Sequence, residues 1–412
     1  MTASRILKQG RGWATRLHGK TPPALQRKLL LLAALVVLYT GVFVAAEGLR
    51  FPIGRDEVHF WPTSQSFSHR FLPTLQQLRE YNELNTPFPF LVFGWVERLF
   101  HAGIVGGRFV NFCLSFMIAL LVGFGRGSKP GEALLALSGL FLFPYFFGLS
   151  THLYTDVIAG FFGLVGLASY LRRSFSLSAL AFILAVASRQ YMLAIPLALL
   201  VYEILESGRP AFRVRQLALA LSSATILFWI WLFQGPAPPR ALEGQDIVPA
   251  AFSPSNGLYF LTCLGAYYVL PEILLFREKI EVPWKNVRVL ALATSVTALF
   301  ILCPPLRNDN FAIETMGYLD KAARLVLRFD FLRLILFYAL ALATVVRFSS
   351  FRLSSAVVYA NMLILMKAHV AWDKYAFPAL LVLWYLRAIT HEHGLSPSAE
   401  PESTIPSQAA TD

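Results

Sequence analysis

The stretch "LLLLAALVVLYTGVFVAA", Leu29 to Ala46, is an unbroken apolar run close to the amino terminus. A helix that crosses a hydrocarbon core of ~30 Å needs about 20 apolar residues, so this run is of spanning length. A basic leader, residues 1–27, precedes the run, and residues 47–50 after it lack a small-residue cleavage site. We therefore expect a membrane anchor that stays in the protein.

Similar apolar runs recur along most of the 412 residues. The chain is 56% hydrophobic and only 15% charged, which excludes a soluble multidomain protein. We predict an all-α fold, a polytopic membrane helical bundle with about twelve transmembrane helices. The predicted spans are residues 28–48, 104–124, 132–149, 156–171, 175–188, 191–206, 214–233, 257–276, 288–305, 328–346, 353–370 and 375–390. They form one integral membrane domain, residues 28–390, and the Pro- and Ser-rich residues 391–412 are expected to be a disordered cytoplasmic tail.

The net charge of +12 is a signal of topology rather than of nucleic-acid binding. If the amino terminus is cytoplasmic, most of the 36 lysines and arginines fall in short cytoplasmic segments, as the positive-inside bias requires. We therefore predict contact with membrane lipid and no nucleic-acid partner. The cysteines lie inside apolar runs and the histidines lack metal-ligand spacing, so we predict no metal site and no cofactor.

The apolar segment Phe88–Phe100 affects the whole topology. A full crossing there would move the later basic loops to the outside, against the positive-inside bias. We predict instead an interfacial or re-entrant helix that begins near Pro87 and Pro89. The first extracytoplasmic loop then covers residues 49–103, and a connection of this length is usually functional or disordered. Its many aromatic residues favour function.

This topology brings ionisable and polar side chains from several connections to the extracytoplasmic face. They include Asp56, Glu57, His59, Tyr154, Asp156, Arg189, Gln190, Arg307, His369, Asp373 and Lys374. Ionisable residues near the hydrocarbon boundary are costly and commonly mark functional sites. We expect a site at this rim of the bundle.

Structural roles remain open for several of these residues. Thr155-Asp156 could cap the following helix, and Arg189 could extend towards lipid headgroups. Asp373-Lys374 could form a local ion pair within an interfacial aromatic belt, and Arg307 could belong to an ordinary polar loop.

Five short segments carry a resemblance to a known family. In chain order they are "RDEVHFWPTSQSF", "LREYNELNTPFPFLVFG", "LYTDVIAGFFGL", "ASRQYMLAIP" and "AHVAWDKYAFPALLVLWYLR". The set resembles the dolichyl-phosphate-glucose-dependent alpha-1,2-glucosyltransferases, which add the terminal glucose to the lipid-linked oligosaccharide used in N-glycosylation. The "NTPFPF" part departs from the family pattern, because it lacks the double proline and glycine.

The resemblance implies a GT-C-like bundle and a hexosyltransferase. The donor would be a polyprenyl- or dolichyl-phosphate sugar and the acceptor a lipid-linked glycan, with inversion at the anomeric carbon. The membrane would be that of the endoplasmic reticulum in a eukaryote, or the inner or plasma membrane in a bacterium, with the site on the lumenal or extracytoplasmic face.

The residue types suit this chemistry. An acceptor hydroxyl needs a carboxylate to take its proton, and Asp56 is our candidate for that base. Glu57 diverges from Asp56 by about 100° on a helix, so it should act differently, by orienting the acceptor or a guanidinium such as that of Arg55. Cations must stabilise the departing phosphate, and the candidates are Arg189 and Lys374, followed by Arg307 and His369. Substrate contacts are expected from His59, Tyr154, Asp156, Gln190 and Asp373.

Other classes of protein remain open. A transporter or lipid flippase also carries intramembrane charges, although we find no internal repeat and no matched pair of broken spans. A related transferase with a different sugar or acceptor, and a non-catalytic membrane scaffold, are the further alternatives.

Overall fold

The computed structural model describes residues 23–207, 213–244, 252–277, 286–305, 317–368 and 370–389. Within these ranges the chain is helical and contains no β-strand, so the predicted all-α class is confirmed for the described residues. Most of the predicted leader, the predicted tail, Arg307 and His369 lie outside them.

The helices form three consecutive groups. The first group contains α1 (Pro23–Ala45), α2 (Glu57–Ser68), α3 (Leu75–Glu80) and α4 (Phe88–Phe100). The second contains α5 (Gly103–Gly123), α6 (Pro130–Phe141), α7 (Phe146–Thr151), α8 (Thr155–Leu171), α9 (Phe175–Ser188) and α10 (Ala194–Ser207). The third contains α11 (Val214–Phe233), α12 (Pro239–Gly244), α13 (Pro254–Phe276), α14 (Val287–Leu302), α15 (Gly317–Val326), α16 (Asp330–Arg347), α17 (Leu353–Leu365) and α18 (Phe377–Ala388).

A helix lies at each of the predicted spans. Among the described residues, α1, α5, α11 and α13 are long and apolar enough to cross a membrane. The helices α6, α8, α9, α14 and α17 are apolar but shorter, with 10–17 residues. These helices fit a membrane protein, and the count of about twelve spans stays a prediction.

The bounds of most predicted spans shift by a few residues, and two spans differ in a way that changes the fold. The span predicted at 132–149 is divided, because α6 ends at Phe141 and α7 begins at Phe146. Pro144 lies between them, and a proline removes a helical hydrogen bond and disfavours helix in the residue before it. The span predicted at 353–370 ends at Leu365, so a longer connection leads from α17 towards α18.

The first long connection is built on α2 and α4, which pack against each other. Phe60 and Phe67 of α2 and Phe90 and Phe93 of α4 are all buried. Their backbones approach closely at Gly94, where a Cβ would lie 2.8 Å from the carbonyl oxygen of Ser64. Helix α4 begins at Phe88 and has 13 residues, and whether it is interfacial or re-entrant stays a prediction.

The helix α18 is the centre of the bundle. Every residue from Phe377 to Ala388 is buried, and α18 packs against α6, α8 and α17. A short 3-10 turn, Asp373–Ala376, leads directly into it. Because α18 is enclosed on all sides, the charged residues of this turn are held inside the protein.

Buried charges lie at both ends of the bundle. We name the end that carries α2 and α4 the loop end. At the opposite end, Glu272 of α13 accepts hydrogen bonds from Arg347 of α16 at 2.7 and 2.8 Å, and Arg387 of α18 lies 3.5 Å away. This second buried group was not predicted from the sequence.

The close approach of α2 and α4 predicts a position-specific loss of stability. Gly94→Ala should lower the free energy of unfolding by ~1–3 kcal/mol, because the new methyl group meets backbone atoms that cannot move aside. Gly41→Ala in α1 is the control, since no atom lies within 4 Å of its Cβ position. Thermal unfolding in detergent measures both variants, and equal midpoints would contradict the packing described.

Candidate functional site at the loop end

A lysine and an aspartate from distant parts of the chain form the first element of the site. Lys374 donates to Oδ2 of Asp56 at 2.6 Å. The Lys374 side chain is 5% exposed and that of Asp56 is 27% exposed, so the aspartate is the more accessible partner. The Lys374 ammonium also lies 3.7 Å from the ring centroid of Trp372, a cation–π contact that fixes its position.

A second ion pair joins α8 to the end of α9. Arg189 donates to Oδ2 of Asp156 at 2.6 Å, and the Tyr191 hydroxyl donates to Oδ1 at 2.9 Å. Both charged side chains are buried. Among the described residues the buried Nε of Arg189 has no hydrogen-bond partner.

These contacts decide two of the structural alternatives. Tyr154 is the N-cap of α8 and no side chain caps this helix, so Asp156 is not a capping residue. Its negative charge in the first turn is still favourable to the helix dipole. Arg189 is buried against Asp156 and does not extend towards headgroups.

The two pairs share one aromatic wall. The Tyr375 ring centroid lies 6.0 Å from the Lys374 ammonium and 6.0 Å from the Arg189 guanidinium. Tyr154 lies on the same side, with its ring centroid 5.4 Å from the ammonium of Lys374. We name Asp56, Asp156, Arg189 and Lys374 the charged cluster. Two carboxylates and two cations give it a formal charge of zero.

Arg55 adds a further positive charge beside the cluster. It is exposed and hydrogen-bonds to Tyr154 and Tyr318. Its φ of +57° is in the left-handed region, a conformation that costs a non-glycine residue of order 1–3 kcal/mol. The chain therefore bears strain immediately before Asp56.

Glu57 has a different partner from the expected Arg55. Arg108 of α5 donates to both carboxylate oxygens of Glu57, at 2.8 and 2.6 Å, and the backbone N–H of Leu153 donates to Oε1 at 2.7 Å. Both charged side chains are wholly buried. Glu57 faces the bundle interior from the first turn of α2, whereas Asp56 precedes that turn and bonds Lys374. Glu57 therefore positions Asp56 and is enclosed away from any ligand at the cluster.

Asp373 also turns away from its neighbour Lys374. It is buried and accepts from the Tyr267 hydroxyl at 2.9 Å and from the backbone N–H of Leu319, in α15, at 3.0 Å. Burial raises the pKa of Asp373, and these hydrogen bonds oppose the rise. The local ion pair considered for Asp373-Lys374 is thus absent, and Asp373 anchors α15 at the loop end.

The remaining predicted residues divide between the cluster and its surroundings. Tyr154 belongs to the aromatic wall, and burial raises the pKa of its hydroxyl, which stays a neutral donor. Gln190 donates to the carbonyl oxygens of Leu84 and Pro236, at 2.6 and 3.2 Å, and so holds two connections together. His59 is exposed on α2, and no contact with the charged cluster is found among the described residues.

Two charged residues at the loop end, Arg108 and Glu83, were not among the residues predicted from the sequence. Arg108 interrupts an apolar run, and a lone arginine in such a run is a signal that could have identified it. Glu83 gives no such signal, since it lies in the polar segment "YNELN". It is nevertheless 7% exposed, and burial together with the charge of Asp56 raises the pKa of its carboxyl to about 7, against the opposing charge of Arg189.

The cluster combines a partly accessible carboxylate, two fixed cations and neutral phenols. A carboxylate of this kind can take a proton from a hydroxyl, and paired cations can stabilise phosphate oxygens. The described residues contain no group of three or more His, Cys, Asp or Glu side chains that could hold a metal ion.

No protein-family model, curated protein or solved structure matches this chain.

The enclosed Glu57–Arg108 pair predicts a stability phenotype. Glu57→Gln should lower the free energy of unfolding by ~3–5 kcal/mol, because it leaves the Arg108 charge buried without a counter-charge. The double variant Glu57→Gln/Arg108→Gln should recover part of this loss, as measured by thermal unfolding in detergent.

The matched control for this prediction is Glu132→Gln. Its partner Lys129 is 72% exposed, and a surface pair contributes ~0–1 kcal/mol. A fully stable Glu57→Gln variant would show that this carboxylate does not hold the loop end together.

Proposed function

We propose that the protein is a membrane glycosyltransferase that moves a hexose from a polyprenyl- or dolichyl-phosphate sugar to a lipid-linked glycan. The observation that carries the proposal is the convergence of the pairs Asp56–Lys374 and Asp156–Arg189 on one wall of tyrosines. Their members come from four separate segments of the chain, and packing alone does not require such a set. The resemblance in sequence supports glucose as the hexose and an alpha-1,2 linkage.

The cations would bind the donor phosphate. Arg189 is fixed by Asp156, whereas Lys374 can exchange Asp56 for a phosphate oxygen without moving far. That exchange would release Asp56 when the donor arrives. Cations already in place cost no reorganisation as negative charge develops on the leaving phosphate.

The reaction then needs one displacement. The acceptor oxygen forms a bond to the anomeric carbon, and the bond from that carbon to the phosphate oxygen breaks with its electron pair on the phosphate. Asp56 takes the proton of the acceptor hydroxyl. The products are the extended glycan and polyprenyl phosphate, and a single displacement converts a beta-linked donor into an alpha-linked product.

An apolar cavity supports a lipid-linked substrate. Its volume is about 810 Å³, and it lies between α10, α14 and α17, where Leu197, Val201, Ala360 and Leu363 line it. The first turn of α10 contributes Leu197, eight residues after Arg189 in the chain. The cavity runs along α10 from Leu197 to Glu206, and no residue of the charged cluster lines it. The first isoprene units of a donor lipid would occupy its Leu197 end.

The proposal is tested by incubating the purified protein with a panel of polyprenyl-phosphate hexoses and lipid-linked acceptors. Mass spectrometry should show a gain of one hexose on an acceptor together with free polyprenyl phosphate. If no donor yields free polyprenyl phosphate, the protein is not a transferase of this class.

Transport of a charged lipid is the second candidate, and one observation favours it. The Glu272, Arg347 and Arg387 group provides buried charges at the end of the bundle opposite to the charged cluster. A transporter moves labelled lipid across the bilayer of proteoliposomes and leaves it chemically unchanged, so the same preparations distinguish the two functions.

The base assignment predicts that Asp56→Asn reduces hexosyl transfer by ~10²–10⁴-fold, because the amide cannot accept the acceptor proton. Donor binding should persist, since Lys374 is then free to bind phosphate. Some thermal stability should be lost, because the 5% exposed Lys374 loses its counter-charge, but less than in Glu57→Gln, since Asp56 is 27% exposed. The control is Glu80→Gln, an exposed carboxylate in the same long connection. Undiminished transfer by Asp56→Asn would remove Asp56 from the role of base.

A further inference from the structure

Glu83 is a buried carboxylate at the loop end to which the proposed reaction gives no task. Its side chain is buried, and no hydrogen bond or ion pair joins it to the described residues. A buried carboxylate of this kind is costly as an anion, and proteins commonly respond by keeping such a group protonated.

The segment around Glu83 is fixed in place. The Tyr81 hydroxyl donates to the carbonyl oxygen of Asn85 at 2.6 Å, and Gln190 donates to the carbonyl oxygen of Leu84 at 2.6 Å. The Asn85 amide donates to Thr155 at 3.3 Å, and the Thr86 hydroxyl donates to the carbonyl oxygen of Val186 at 2.9 Å. The three residues after Glu83 are thus tied to α8 and to the end of α9, and the Tyr81 bond closes the segment on itself.

Charged groups from two elements act on Glu83. The negative charge of Asp56, at the start of α2, favours the protonated carboxyl, and the positive charge of Arg189, at the end of α9, favours the anion. The phenol of Tyr81, on the same segment, is neutral. Burial and Asp56 outweigh Arg189, and the resulting pKa of about 7 leaves Glu83 ready to gain or lose a proton near neutral pH.

We infer that Glu83 is a proton-binding residue of this site, which takes up a proton when the anionic phosphate of a lipid binds between Arg189 and Lys374. The inference rests on the proposed function. The phosphate brings a negative charge and draws Lys374 from Asp56, and both changes oppose an ionised Glu83. The proton comes from solvent.

The sign of the pH dependence follows. Lipid phosphate binds best when Glu83 is already protonated, so its affinity falls as the pH rises through about 7. The fall approaches tenfold per pH unit at higher pH, and below pH ~6 the affinity is constant. Binding of one ligand is accompanied by the uptake of about half a proton near pH ~7. In the acid range no proton is taken up, because Glu83 is already protonated before the ligand binds.

The experiment is calorimetric binding of a farnesyl phosphodiester to the full-length protein in detergent, in two buffers that differ in ionisation enthalpy. A diester is used because a phosphate monoester itself titrates near pH ~6. Wild type should take up a proton near neutral pH, Glu83→Gln should take up none, and the affinity of Glu83→Gln should not depend on pH. Glu80→Gln, which alters an exposed carboxylate three residues away, should behave as wild type.

Infrared difference spectroscopy of wild type provides a second measurement that does not depend on the folding of Glu83→Gln. Ligand binding should produce the carbonyl band of a protonated carboxyl. In Asp56→Asn the pH at which uptake is greatest should fall, because the charge that raises the pKa of Glu83 is gone.

The outcomes separate the two proposals. Absence of diester binding to wild type at any pH would overturn the proposed function itself. Binding without proton uptake, or uptake that is unchanged in Glu83→Gln, would overturn the role of Glu83 and leave the phosphate site in place.

Discussion

The ion pair between Glu57 and Arg108 is the constraint on which the loop end depends. Removing two charges from water costs several kcal/mol per ion, and here the cost is offset by two short hydrogen bonds between the partners and by bonds to backbone groups. Arg108 also binds the carbonyl oxygens of Leu49 and Phe51, so the pair joins α5 to the chain before α2. Through Leu153 it reaches the connection before α8.

The position of the charged cluster follows from this pair. Because Glu57 is fixed inward, Asp56 is held immediately before the first turn of α2, where Lys374 bonds it. The connection before α8 is held from a second side, since Asn111 of α5 donates to the carbonyl oxygens of His152 and Tyr154. Asp156, in the first turn of α8, then bonds Arg189, the residue that follows the last turn of α9. A site of four charged residues thus depends on one enclosed pair that takes no part in the chemistry.

The charge balance of the cluster explains why an anion is the ligand proposed. With Asp56 and Asp156 paired to Lys374 and Arg189, the cluster is neutral, and Arg55 makes its surroundings positive. An ionised Glu83 would cancel that excess, whereas a protonated Glu83 preserves it. The protonation state of Glu83 therefore decides whether the surroundings of the cluster carry a net positive charge that attracts a phosphate.

Much of the helical framework could be predicted from the sequence, because apolar runs and their charged ends are local properties. The break at Pro144 was missed although a proline marks it, since the apolar composition continues across residues 142–147. The divergence of Asp56 and Glu57 also follows from local helix geometry, and the two do bond different partners.

Pairing between distant segments could not be predicted. Arg108 replaces Arg55 as the partner of Glu57, and Asp373 and Lys374 bond to different elements although they are adjacent. The burial of Glu83 depends on how residues 81–86 fold against α8 and α9, and nothing in its own segment indicates it.

The most direct test of the account is a structure of the protein in lipid nanodiscs with a polyprenyl-phosphate hexose, determined by electron cryomicroscopy. The account predicts the phosphate within hydrogen-bond distance of Arg189 and Lys374, Asp56 separated from Lys374 and facing the anomeric carbon, and the lipid chain entering the cavity between α10, α14 and α17. A headgroup bound instead beside Glu272, Arg347 and Arg387, with the Asp56–Lys374 pair intact, would contradict it.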